Sequence, residues 1–182
     1  LDRVWIVMFG ILAVVLQTTL SPVVACCGGA PDVVFLFVVF LALQRRTTLG
    51  LWFAFALGLV QDVAGGGPLG LNPSILVAVA YLVSLLRTKL FKENYSAQVL
   101  IVVLLTCAQQ FFMFYWMNTL LNTEFQLGQW LSRAAVMSLY HALLGPPLFA
   151  GLARLIPGDD VYQHLILGGP PHTPRLRFRR MG

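Results

Sequence analysis

Six apolar runs separated by short polar breaks lay out the chain. The first extends from Val4 to Leu20 behind a single Arg3. It exceeds the length of a signal-peptide core, so it reads as a retained anchor, and a lipoprotein-type cleavage ahead of Cys26 is disfavoured. The break from Ser21 to Asp32 contains Pro22, Gly28, Gly29 and Pro31 and no Lys or Arg. A short second run, Val33 to Leu43, reaches spanning length if Pro31 serves as a first-turn residue and the helix continues to Arg45 and Arg46, whose stems can snorkel. The third, Leu49 to Val60, is also short and ends on Gln61 and Asp62. A re-entrant pair competes with two spans here; two spans are preferred because they leave Arg45 and Arg46 in water.

Five Gly or Pro residues in the eleven from Asp62 to Asn72 predict a turn. Pro73 then opens a fourth helix running to about Leu86, followed by a basic linker, Arg87 to Asn94. Ser96 is a suitable N-cap for a fifth helix from Ala97 to about Asn118, with Tyr115 and Trp116 placed for the headgroup layer. After a break from Thr119 to Gln129, the sixth runs from Trp130 to about Leu155. Gly145, Pro146 and Pro147 should kink or split it.

Composition agrees with this pattern. With 58% apolar and 10% charged residues, the chain lies far outside the range of soluble domains. The expected architecture is an all-α six-transmembrane helix bundle over residues 1–156, followed by a basic Pro/Gly-rich cytoplasmic tail over 157–182. The net charge of +5 has meaning only by location. With the N-terminus inside, eleven of the twelve Lys and Arg residues are cytoplasmic, including Arg175, Arg177, Arg179 and Arg180, and only Arg133 lies outside. The tail's basic residues suit topology and anionic lipid, with no nucleic acid implied. The three cysteines, Cys26, Cys27 and Cys107, form neither a metal-ligand pattern nor a disulfide framework.

Polar groups inside an apolar helix are expensive and are the first place to look for function. They are Gln17, Thr18 and Thr19 in helix one, Asp62 in helix three, Gln109 and Gln110 in helix five, and Arg133 and His141 in helix six. An ion pair of Asp62 with Arg133, or with Glu124, is the preferred reading; ligand binding or proton relay is the alternative. His141 has no second ligand at metal-binding spacing and reads as an interhelical hydrogen-bonder. No nucleophile elbow, phosphate loop or carboxylate pair is present, so no catalytic residue, metal or cofactor is assigned. Small residues recur at helical spacing: Gly50, Ala54 and Gly58 lead into Asp62, and Ala134, Ser138 and Ala142 lie on helix six. Such ridges permit close helix packing, internally or with a partner. Gly66, Pro68 and Gly70 extend the first candidate surface into the turn.

Leu16 to Thr19, Pro31 with Asp32, Gly58 to Asp62 followed by Gly65 to Gly70, and Leu90 to Asn94 resemble, in their order and spacing, the rod shape-determining protein MreD family of bacteria. The resemblance covers roughly the first hundred residues. It implies a non-enzymatic inner-membrane scaffold of the cell-elongation machinery, whose two termini the Lys and Arg distribution puts in the cytoplasm. It further implies binding to an MreC-like single-span protein and, through it, links to RodA, a penicillin-binding transpeptidase and MreB. Membrane lipid and a second copy of the chain complete the partners considered. The family's fold is similar to that of the substrate-binding subunit of energy-coupling factor transporters. This supplies the alternative, a capture subunit for a small vitamin-like molecule.

Overall fold

The computed structural model describes residues 2–25, 29–44, 47–66, 68–90, 95–120 and 126–155. Six helices account for nearly all of them: α1 (Asp2–Val24), α2 (Val33–Gln44), α3 (Thr47–Gly65), α4 (Leu71–Leu90), α5 (Tyr95–Leu120) and α6 (Leu127–Leu155). The described residues contain no strand.

Helix α2 is the axis of the bundle. Its sequence is apolar on every side, so it has no face suited to water, and the fold surrounds it with α1, α3, α4 and α6. Every residue from Val34 to Gln44 is at most 4% exposed. Around this axis, α3 and α4 form one closely packed hairpin and α5 and α6 another. Helix α1 forms part of the outer wall, with Val4, Trp5, Val7, Met8, Ile11 and Leu12 exposed as a lipid-facing surface requires.

Among the described residues, three helices are long and apolar enough to cross a membrane: α3, α6, and α5 through its segment Val99–Trp116. The apolar segments Val4–Thr19, Val33–Gln44 and Leu71–Leu86 are shorter. Helix α2 rises only about 18 Å at 1.5 Å per residue. Pro31 does not extend it, because Asp32 occupies the capping position and Pro31 precedes the cap. Arg45, Arg46, Cys26, Cys27, Glu124 and the tail lie outside the described residues. Several helices run past their expected ends: α1 carries through Ser21 and Pro22, α3 through Asp62 to Gly65, and α4 to Leu90.

The expected interruption of α6 is not a split. The helix continues through Pro146 and Pro147 from Leu127 to Leu155, with two fewer backbone donors along its length.

The small-residue ridge of α3 faces inward. Gly50, Ala54 and Gly58 are all buried. A Cβ at Gly50 would lie 3.5 Å from the Cα of Ala42 on α2, and one at Gly58 only 2.5 Å from the N and Cα of Pro73 on α4. Here the absent side chain permits the close approach, and the space a partner helix would need is already filled by α4. On α6, Ala134 and Ser138 are buried, and the Ser138 Oγ lies 3.5 Å from Cys107 Sγ on α5.

Candidate functional site

At one end of the bundle α1, α3 and α5 finish and α2, α4 and α6 begin. Helix starts expose backbone N–H groups with no partner inside the helix, and in an apolar bundle these must be satisfied locally. Two carboxylates do so.

Asp62 serves α4. Its Oδ2 accepts the Gly70 N–H at 2.6 Å and its Oδ1 the Asn72 N–H at 3.2 Å. The turn that brings these donors round needs positive φ at Gly66 (63°) and Gly70 (99°), which glycine adopts without a Cβ penalty. Pro68 contributes its carbonyl, which accepts the Leu71 N–H at 3.4 Å. Neither Gly66 nor Gly70 has any atom within 4 Å of where a Cβ would lie, so they act through backbone conformation and not through packing. The expected ion pair of Asp62 with Arg133 does not form. Asp62 is 1% exposed and taken up by two backbone donors, whereas Arg133 is an exposed residue and not a buried partner.

Asp32 serves α2. Its Oδ1 accepts the Phe35 N–H at 2.9 Å, a standard N-cap geometry, and the amide of Gln61 at 3.2 Å; its Oδ2 takes the amide of Gln109 at 3.4 Å. The half-buried Gln17 reaches from α1 to accept the Val34 N–H at 3.0 Å. The backbone N–H of Asp32 itself donates to Nε2 of His141 at 3.0 Å. One carboxylate thus joins α2, α3 and α5, and its backbone adds α6.

The protonation of His141 follows from its partners. Nε2 accepts a backbone N–H and therefore carries no proton. The Thr106 hydroxyl has a single hydrogen, which goes to the Val102 carbonyl at 2.7 Å, so Nδ1, 2.8 Å from Thr106 Oγ1, is the donor. His141 is a neutral Nδ1–H imidazole, fully buried and stacked on Phe35 at 5.0 Å between ring centroids.

Several of these groups line an open cavity of about 600 Å³. Gln17, Asp32, Gln61, Gln109, Gln110 and Arg133 supply much of its polar lining; Val14, Met113, Phe114, Trp130 and Met137 supply much of the apolar part. Trp130 donates its indole N–H to the Gln110 carbonyl at 2.8 Å and packs on Phe114 with centroids 5.5 Å apart. Two buried acceptors, Gln61 Oε1 and Gln109 Oε1, have no hydrogen-bond partner.

Sequence reasoning singled out Asp62, His141, Gln17, Gln109 and Arg133, but it did not give Asp32 a role of its own. The signal was present: an Asp directly before an uninterrupted apolar run is an N-cap pattern. Thr106 carried no such signal, because a hydroxyl in an apolar helix can bond its own i−4 carbonyl and needs no further explanation.

An apolar six-helix bundle whose buried helix starts are held by carboxylates around a polar cavity is an all-α membrane protein. The family model for the rod shape-determining protein MreD matches residues 2–155, and the chain belongs to that family. Its role therefore lies in rod-shape determination. No curated protein and no solved structure matches the chain.

Proposed function

We propose that this chain is a non-enzymatic scaffold of the bacterial cell-elongation complex. It spans the inner membrane six times with both termini cytoplasmic and binds an MreC-like single-span protein that links it to peptidoglycan synthesis. The observation that carries the reading is family membership across all six helices. The distribution of Lys and Arg supports the orientation, in which the polar cavity would lie at the outer end. Exposed apolar surface on α1 and α6, including Val4, Met8, Ile11, Leu139 and Leu143, offers area for a partner's span within the bilayer.

The cavity favours a second reading, the capture subunit of a membrane transporter. Co-purification of the tagged chain from native membranes separates the two. A scaffold brings down a single-span protein with a large outer domain. Recovery of a coupling membrane subunit with paired ATPases, and no single-span protein, overturns the scaffold.

A further inference from the structure

We propose that the polar cavity binds a zwitterion, with a primary ammonium seated against Asp32, Gln61 and Gln109 and a phosphate directed to Arg133.

Both glutamines direct their amide nitrogens at the Asp32 carboxylate, at 3.2 and 3.4 Å, and the reverse orientation would set oxygen against oxygen. Their carbonyl oxygens are thereby turned away from Asp32, and both are buried without a donor. Gln109 is only 5% exposed, and no protein donor meets its oxygen. Asp32 Oδ2 holds only the longer of the two amide contacts, leaving acceptor capacity on the same carboxylate.

Each orphan oxygen shares a carbon with a nitrogen that touches Asp32. Asp32, Gln61 and Gln109 all line the one cavity, so a rotated amide presents its oxygen beside the carboxylate. The terminal amide torsions are soft, and a modest turn of either brings its oxygen to a ligand. Three acceptors around one carboxylate are the complement of an –NH₃⁺ group, which carries three donors and a positive charge. A quaternary ammonium has the charge but none of the donors.

The other charge on the cavity wall is opposite. Arg133 is exposed and forms no ion pair among the described residues, so its guanidinium is available to a phosphate. Trp130, Met113 and Phe114 supply apolar wall beside it. A volume of about 600 Å³ suits a headgroup-sized ligand. Primary ammonium and phosphate occur together in ethanolamine phospholipids and in free phosphoethanolamine. The inference concerns the isolated chain and does not depend on the assembly role proposed above.

Native mass spectrometry of the full chain, in detergent cleared of amine lipids, tests this. Ethanolamine and choline phospholipids with matched acyl chains are added separately, and soluble phosphoethanolamine is used as competitor. Wild type should retain the ethanolamine lipid about tenfold better, as expected when charge-assisted donors are lost. Gln109→Leu, which removes the unpartnered oxygen together with the long amide contact to Asp32, should stay folded by circular dichroism and reduce the preference to about twofold. Gln61→Leu serves as a second variant with the same expected effect. Arg133→Gln should weaken both phospholipids alike, since they share the phosphate. Displacement by millimolar phosphoethanolamine assigns the site to the free zwitterion, and retention assigns it to the lipid. Equal retention of the two lipids by wild type, an unchanged preference in folded glutamine variants, or no binding of any of the three probes overturns the proposal.

Discussion

The Asp62 carboxylate on α3 receives the Gly70 N–H at 2.6 Å, so the last turns of one helix cap the start of the next. A second bond from the Asn72 N–H fixes both carboxylate oxygens, and α3 and α4 become one hairpin unit.

Asp62→Ala should therefore lower stability in detergent by about 1 to 3 kcal/mol, because two part-buried backbone donors lose their acceptor. Arg133→Ala should change it by less than about 0.5 kcal/mol, as an exposed side chain away from such features does. A double-mutant cycle of the two, read by thermal unfolding, should show no coupling, and exchanging the two residues should not restore stability. Restoration by the exchange would mean that the pair forms after all.

Much of the fold was readable because it depends on patterns that repeat along the chain. Six apolar runs gave six helices, and the Gly/Pro-rich stretch gave the turn between α3 and α4. The partners of the intramembrane polar groups were not readable. Charge counting matched Asp62 with Arg133, the outer cation, whereas the competing donors were the backbone N–H groups of Gly70 and Asn72, which sequence composition does not display. Asp32 and His141 lie 109 residues apart, and no local pattern links them. The small-residue ridge of α3 was visible, but its direction was set by the first turn of α4, where Pro73 packs on Gly58.

Gly58 and Gly65 lie on the same helix and should respond oppositely to alanine. A Cβ at Gly58 meets Pro73 backbone at 2.5 Å, so Gly58→Ala has to part α3 from α4 and should cost about 1 to 3 kcal/mol. Gly65 has nothing within 4 Å and a negative φ, so Gly65→Ala should be neutral or stabilise by up to about 1 kcal/mol. Melting temperatures of the two variants in one detergent give the comparison; equal losses would place Gly58 away from α4.

The imidazole of His141 should hold its proton on Nδ1, which ¹⁵N chemical shifts of a histidine-labelled sample read directly. Thr106→Val keeps the shape of the side chain but strands that N–H, and should cost about 1 to 3 kcal/mol. Thr106→Ser retains the hydroxyl and should recover most of the loss. Equal destabilisation by Val and Ser would assign the effect to packing alone.

Orientation in the membrane can be read at the two ends of α3. Thr48 and Gly65 are both exposed near opposite termini of this helix. In a chain freed of native cysteines, Cys substituted at Gly65 should react with an impermeant thiol reagent added from outside, and Cys at Thr48 only after the inner side is opened. The opposite pattern would invert the charge-based orientation.

At the other end of α2, Gln44 is completely buried, and neither its Nε2 nor its Oε1 has a partner. An amide in that state carries a desolvation cost with no compensating bond, and a side chain of similar length without polar atoms removes the cost. Gln44→Met should therefore raise the melting temperature, by an amount equivalent to about 1 to 3 kcal/mol. Co-purification of the proposed single-span partner is the second measurement. Higher stability with undiminished recovery would show that Gln44 has no role in assembly. Higher stability with lost recovery would show that the amide is retained for the complex, in which its two polar atoms find the partners they lack in the isolated bundle. A fall in stability would mean that the amide is already bonded in the free protein and would remove the basis for both readings.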